Sequence, residues 1–391
     1  MNYLSKFFLV ILLLPFLPFA AALGALADNE IVKGMSELPA FSWIFTLGMS
    51  SEPLPEASTN QVAEAIGQQI EEFYDNYAYY YTQEEFKTFL EDYEGSFGGV
   101  GVSMSNNQNG DIQVYAVLDS GPALNTEITA GDVMVAVDGE SILGWDVNLA
   151  VSKVRGDIGT PVTLTLRHEN GQEYTVTLIR EEIISPSVEG EIFEETPNTG
   201  YICISEFTEQ TSNEFWDKLV ELQKQRMLRK LIIDLRSNGG GSLYAAMNIA
   251  TLFIPEGECL FQEKTIDGMN EYDSVDGRLS EMEIVVLVNE YSASASEVLS
   301  GALRDQAGAA LIGSTTYGKG ITQALVNLSS GAGLRYTRSH YYTPSGFDLH
   351  HVGLAVDVEV ELPEDITREQ YWSTDPAVNP CLQAVVDYWN K

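Results

Sequence analysis

The sequence predicts a multidomain α/β chain, and three observations carry that expectation: its length, a central stretch of short strands broken by turns, and a strand–helix alternation after it. At 391 residues the chain exceeds one small core and calls for about two or three domains. Hydrophobic residues make up 45% of it, enough to fill buried cores and to exclude global disorder. Acidic residues outnumber basic ones 57 to 21, for a formal net charge of -36. A surface with no basic patch cannot release counterions, so nucleic acid is excluded as a partner and anionic lipid headgroups are repelled. The acidity otherwise reads as solubility.

Along the chain, Lys6 precedes an apolar run from Phe7 to Leu23, and Ala25-Leu26-Ala27 offers small residues for signal-peptidase cleavage. Residues 1–27 are therefore expected to be a signal peptide, with an uncleaved N-terminal membrane anchor as the alternative. Either one places the remainder outside the cytoplasm, secreted or membrane-anchored. Residues 28–95 read as a spacer and an N-terminal helical segment. From Gln61 to Tyr93 apolar residues recur at three- and four-residue spacing (Val62, Ile66, Ile70, Phe73), and the cluster Tyr77, Tyr79, Tyr80, Tyr81 reads as packing. Such helices could pair with a second copy, a homo-oligomer that sequence does not decide.

Residues 96–180 read as a mainly β unit. Val114–Leu118, Val133–Val137 and Val162–Leu166 are strand-like, and Gly121-Pro122, Asp138-Gly139 and Asn170-Gly171 mark turns. Residues 181–391 alternate instead. Lys230–Leu235 and Ile284–Val288 read as buried strands, each followed by a helix, over 243–253 and 295–306. Cys203, Cys259 and Cys381 are odd in number and widely spaced, which suits neither a disulfide framework nor a zinc site. Cys203 lies in an apolar run and reads as core. One bridge stays open, and no metal or cofactor is called for.

Three segments of the α/β region carry chemistry. Asp234-Leu235-Arg236-Ser237-Asn238-Gly239-Gly240-Gly241 places three glycines between a strand and a helix, where backbone N–H groups can point into open space and form an oxyanion hole. Val288 to Glu297 ends a strand and starts a helix with Ser292, Ser294 and Ser296 alternating with alanines. A helix N-terminus favours negative charge there, although a serine at that place is usually only a cap. Gly313-Ser314-Thr315-Thr316-Tyr317-Gly318-Lys319-Gly320 nearly matches a phosphate-binding loop, but Gly320 stands where the metal-binding hydroxyl belongs, and Ile321–Leu328 looks like a strand. Lys319 between two glycines is unhindered. As a general base it must be neutral, which requires burial to lower its pKa.

Ser292 to Glu297, followed by Thr316-Tyr317-Gly318-Lys319-Gly320-Ile321-Thr322-Gln323, resembles the C-terminal processing peptidases, or tail-specific proteases. The resemblance runs through Asp234–Gly241 and Tyr341-Tyr342-Thr343-Pro344-Ser345-Gly346 and covers roughly residues 60–391. It implies a crotonase/ClpP-like α/β protease core. Position by position, Ser294 matches the nucleophile, Lys319 the general base and Gln323 the residue that orients it. The N–H groups of Gly240 and Ala295 match the oxyanion hole. Gly239 and Val356 depart from the family pattern, each standing where proline is usual, and neither removes a reacting group. A Ser-His-Asp rival lacks a G-x-S-x-G elbow, and His168, His340, His350 and His351 match no catalytic position. Ser96-Phe97-Gly98-Gly99-Val100-Gly101-Val102 resembles the carboxylate-binding loop of a PDZ domain, and Gly131–Gly139 its central strand and turn. The implied peptide site lies at Gly99, Val100 and Gly101, for a protein or peptide with a free C-terminus. Arg155 is expected either to contact substrate or to couple domains. The expected activity is an exported serine endopeptidase working through an acyl-enzyme. The rivals are a catalytically inactive PDZ-containing peptide-binding protein and an acyl-CoA enzyme of the crotonase type.

Overall fold

The structure is a computed structural model that describes residues 77–391, apart from residues 108, 119, 266, 280, 328–330 and 364. The expected signal segment, the spacer and the start of the helical stretch lie outside the described residues. The chain forms two compact units. One takes the described residues up to Lys87 with Gln323–Arg338, the other Thr88–Thr322 with Ser339–Lys391.

Within the described residues, the helical pattern expected through Tyr93 is interrupted before it resumes as a helix at Gln83. Tyr79–Tyr81 is a strand, β1, paired antiparallel with Gly333–Arg335. Consecutive tyrosines favour a strand where a sheet edge is available to pair with. Thr82 then starts the helix α1 (Gln83–Glu94) with a reciprocal cap: its N–H donates to Glu85 Oε2 at 2.8 Å, and the Glu85 N–H donates to Thr82 Oγ1 at 3.3 Å.

The β unit follows as β2 (Ser96–Gly99), β3 (Val102–Asn106), β4 (Ile112–Val117), β5 (Val133–Val137), β6 (Glu140–Ser141), α2 (Val147–Val154), β7 (Pro161–Arg167), β8 (Glu173–Ile179) and β9 (Glu181–Ile184). One sheet runs β3-β4-β5-β7-β8, leaving β3 as an edge, while β2 pairs with β9. Alternation sets its inner face: Val162, Leu164 and Leu166 of β7 are fully buried against Ile112, Met134 and Ala150.

The rest comprises β10 (Val188–Phe193), β11 (Thr199–Ile204), α3 (Thr211–Gln225), β12 (Lys230–Asp234), α4 (Leu243–Phe253), β13 (Cys259–Thr265), β14 (Gly268–Asp273), β15 (Glu283–Val288), α5 (Ala295–Ala307), β16 (Ala310–Gly313), β17 (Ile321–Asn327), β18 (Gly333–Tyr342), β19 (Val358–Glu359), α6 (Arg368–Trp372) and α7 (Pro380–Trp389). The main sheet is β10-β11-β12-β15-β16-β19, parallel except for β10 against β11. The middles of its inner strands, residues 231–233 and 284–288, are apolar at every position because both faces are covered. Ile233 and Val286 pack with Leu219, Ile249 and Leu299 of α3, α4 and α5. Ile232, Val285 and Leu287 pack with Leu382 and Val385 of α7. Each such side chain contributes roughly 1.5–3 kcal/mol of burial. All three cysteines are free thiols, and burial, reinforced by Asp234, pushes the Cys203 thiol up to about 12.

Parallel pairing also positions the chemistry. Asp234 registers with Leu287, and Val288 with Gly313. The loops leaving β12, β15 and β16 therefore emerge side by side at the carboxyl ends of the strands, where open α/β sheets bind ligands. These loops are the three chemical segments of the sequence.

Candidate active site

The three serines behind β15 are not equivalent. Ser292 is fully buried and its hydroxyl donates to the Leu235 carbonyl at 2.8 Å. Ser296 is equally buried and donates to the Asn238 carbonyl at 2.9 Å. Both hydroxyls hold the glycine loop in place. Ser294, half-buried between them, is the one whose hydroxyl satisfies no loop carbonyl among the described residues. It precedes α5 at φ 57° and ψ −115°, a conformation that costs a non-glycine residue about 1–3 kcal/mol and persists only where the surroundings enforce it. The Glu297 N–H donates to the Ser294 carbonyl at 2.9 Å.

What enforces that conformation is a clamp on the main chains of Ser294 and Lys319. Glu297 is fully buried in the first turn of α5. Its Oε2 accepts the N–H of Ser294 at 2.9 Å and of Lys319 at 2.8 Å. Its Oε1 accepts the Gly318 N–H at 2.7 Å and the Thr316 hydroxyl at 2.5 Å. Burial pushes the Glu297 carboxyl up, against the pull of these four donors. On the carbonyl side, the buried Tyr341 hydroxyl lies 2.7 Å from Lys319 O and 3.0 Å from Ser294 O, sharing its proton between them. Burial, with the Glu297 charge nearby, raises this phenol well above its ordinary value, so it stays a donor. Two side chains that sequence reasoning left without a role thus join the loops of the expected nucleophile and base. Ser294-x-x-Glu297 is the spacing of a capping box, which is the signal that could have singled out Glu297. Nothing local marks Tyr341.

The glycine loop meets Ser294 at Gly240. A Cβ on Gly240 would lie 2.8 Å from Ala293 O, 2.8 Å from Ser294 Cβ and 3.0 Å from Ala295 N. The expectation that its amide points into open space is corrected, because the Gly240 N–H donates to Asn238 Oδ1 at 2.8 Å. A short polar side chain two residues back bonds the turn's own amide, as asparagine commonly does. Ala295 N–H, at the first turn of α5, has no hydrogen bond among the described residues.

Gln323 falls in the other unit, where its amide donates to the Tyr77 carbonyl at 2.8 Å. In the β unit, Gly99, Val100 and Gly101 are buried at the entry to the edge strand β3, and the amides of Val100 and Gly101 carry no hydrogen bond among the described residues. Gly101 has φ 79°, and a Cβ there would meet Ser120 O at 2.3 Å, so only glycine fits. Arg155 caps the end of α2, pairs with Asp92 at 2.9 Å and lies 3.8 Å over the Phe97 ring. Its contacts tie the β unit to α1. His350 and His351 pack beside the Lys319 loop, the His351 N–H donating to Gly318 O at 2.8 Å.

Two regions of the chain match known families. Residues 198–360 match the family model Peptidase family S41, and residues 98–179 match the PDZ domain. A probable CtpA-like serine protease of Staphylococcus epidermidis is 35% identical over 312 residues, covering 79% of this chain and 62% of that protein. One of Staphylococcus aureus is 36% identical over 303 residues, covering 77% of this chain and 60% of that protein. The chain thus spans about three fifths of the length of these curated relatives. Among solved structures, the photosystem II D1 C-terminal processing protease is similar, with 28% identity, coverage of 85% of this chain and 90% of that one, and a TM-score of 0.47. Both matches fall in the expected order: the chain carries a PDZ domain followed by a domain of Peptidase family S41.

Proposed function

We propose that this protein is an exported serine endopeptidase that selects proteins by their C-termini and cleaves them through Ser294 and Lys319. The observation that carries the reading is the difference among the three serines: two are fixed to loop carbonyls, and the third is strained, accessible and clamped through its main chain to Lys319. Neutral Lys319 removes the proton of the Ser294 hydroxyl as Oγ bonds to the scissile carbonyl carbon. The resulting oxyanion faces the amides of Ala295 and Gly240. Its collapse breaks the C–N bond, and the proton passes from Lys319 to the leaving amine. Water, deprotonated by the same lysine, then hydrolyses the acyl-enzyme.

Recognition is supported by the edge strand β3. Its free side can take a peptide as an added strand, and the unbonded amides of Val100 and Gly101 suit a terminal carboxylate. The test compares cleavage of an unstructured protein with a free or an amidated apolar C-terminus by wild type, Ser294→Ala and Lys319→Ala. Both variants are expected to be inactive and the amidated substrate to be cut more slowly. Undiminished cleavage by either variant refutes the dyad, and equal cleavage of the two substrates refutes tail recognition.

A further inference from the structure

We propose that Asn289 and Tyr371 set the position of the Asp234–Gly241 loop against the Ser294 loop, which makes the short helix α6 a positioning element of the reaction. The inference rests on the peptidase reading above. Asn289 follows β15 and is only 8% exposed. Its Oδ1 accepts the N–H of Ser237 at 2.8 Å and of Tyr291 at 3.1 Å. Its Nδ2 donates to Ser237 Oγ at 3.1 Å and to the Tyr371 hydroxyl at 2.9 Å. An asparagine offers one acceptor atom and two donors, and all are used, which neither aspartate nor leucine could reproduce. Ser237 stands at φ 60°, an unfavourable conformation for a non-glycine, so these bonds rather than its own preference hold the loop.

Tyr371 is held in turn by the loop it supports. Arg236 donates to the Tyr371 carbonyl at 3.0 Å and lies 4.4 Å from its ring. Arg236 is itself paired with Asp234 at 2.6 Å, both side chains being buried. A five-residue helix does not fold alone, so α6 and the loop fix each other. Gly240 lies three residues beyond Ser237 and within contact of Ser294. A shift at Ser237 therefore reaches the oxyanion donor, where a misplacement of about 1 Å can cost a hundredfold in rate.

The test uses the full chain and steady-state cleavage of an unstructured protein with a free apolar C-terminus. Tyr371→Phe removes only the hydroxyl that Asn289 bonds and keeps the ring over Arg236. It is expected to lower kcat by about five- to tenfold, the scale of one hydrogen bond, with KM and the melting temperature little changed. Asn289→Ala is expected to lose on the order of a hundredfold in kcat, the scale of an oxyanion donor. Adding Tyr371→Phe to it should cost nothing further, because the phenol acts through Asn289. A Tyr371→Phe enzyme with wild-type kcat, a loss confined to KM, or a loss that multiplies fully with Asn289→Ala overturns the proposal. An inactive wild type overturns the peptidase reading itself, and this inference falls with it.

Discussion

Replacing Gly240 and Gly239 separately by alanine tests the geometry of the site most directly, because two adjacent glycines should answer in opposite ways. Gly240 has φ 105°, and the atoms its new Cβ would meet are Ala293 O and Ser294 Cβ at 2.8 Å and Ala295 N at 3.0 Å. None of these is the far end of a flexible side chain, so the Ser294 loop itself must move. The backbone conformation alone costs an alanine about 1–3 kcal/mol. A displacement of the loop by even part of an ångström misaligns attack, so kcat should fall on the order of 10²- to 10³-fold. At Gly239 a Cβ meets nothing within 4 Å. Alanine there should leave kcat within about threefold and stability unchanged, or raised by up to about 1 kcal/mol through the unfolded state. Urea unfolding and kcat on one unstructured substrate measure both. Equal activity of the two variants would show that Gly240 does not lie against Ser294 in the working enzyme.

Two further outcomes follow from buried carboxylates. Glu297→Gln must turn an NH2 group toward either the Ser294 and Lys319 amides or the Gly318 and Thr316 donors. Relief of the buried charge offsets part of the lost bonding, so stability should change by less than about 2 kcal/mol. The loosened loops should nevertheless cost kcat on the order of a hundredfold, and activity close to wild type would refute the clamp. In the β unit, Asp132 accepts from the Tyr174 hydroxyl at 2.6 Å, the Thr129 N–H at 2.9 Å and His168 Nδ1 at 2.7 Å. Burial pushes its carboxyl up, but these partners outweigh burial and hold it below the usual range. The unfolded state then binds the proton more readily, so the stabilisation is present above about pH 4 and is lost as pH falls through the folded value. Asp132→Asn should therefore melt below wild type at pH 7, with the gap narrowing as pH falls below about 4.

The legible part of the fold was the part written in local periodicity. Strand β5 and helix α4 stand where alternation and apolar spacing put them, and the β12 and β15 strands differ from expectation by one residue at an end. The Tyr79–Tyr81 strand was not legible, because its partner lies some 250 residues away in sequence and only the Thr82 cap marks the break locally. The site divides the same way. Ser294 and Lys319 belong to motifs, but Glu297, Tyr341 and Asn289 act on main-chain atoms of other loops. Such bonds depend on where parallel strands deliver those loops, and no spacing within one segment encodes that. The Asn238 bond to Gly240 is the converse case: a two-residue contact that composition makes ordinary, yet decisive for where one N–H points.

That bond bears on how the oxyanion hole of the proposed reaction could work. Asn238 cannot turn away, since its Nδ2 is held by the Ile204 carbonyl at 2.8 Å, and its own carbonyl receives the Ala293 N–H at 3.0 Å and the Ser296 hydroxyl. Any exchange of partner must therefore occur at Gly240, where the lack of a Cβ leaves the peptide free to reorient. A neutral amide oxygen is a weaker acceptor than an alkoxide by about a factor of two. A substrate carbonyl in the ground state offers no advantage over Asn238, whereas the tetrahedral oxyanion does. The Gly240 N–H would then bind the transition state in preference to the substrate, and its contribution would appear in kcat and not in KM. Asn238→Asp discriminates, because an anionic acceptor competes with the oxyanion on equal terms. It should lower kcat at least tenfold at unchanged KM, by about 1.4 kcal/mol of lost preference, while an unaltered kcat would mean that Gly240 keeps its bond to residue 238 throughout and Ala295 serves the oxyanion alone.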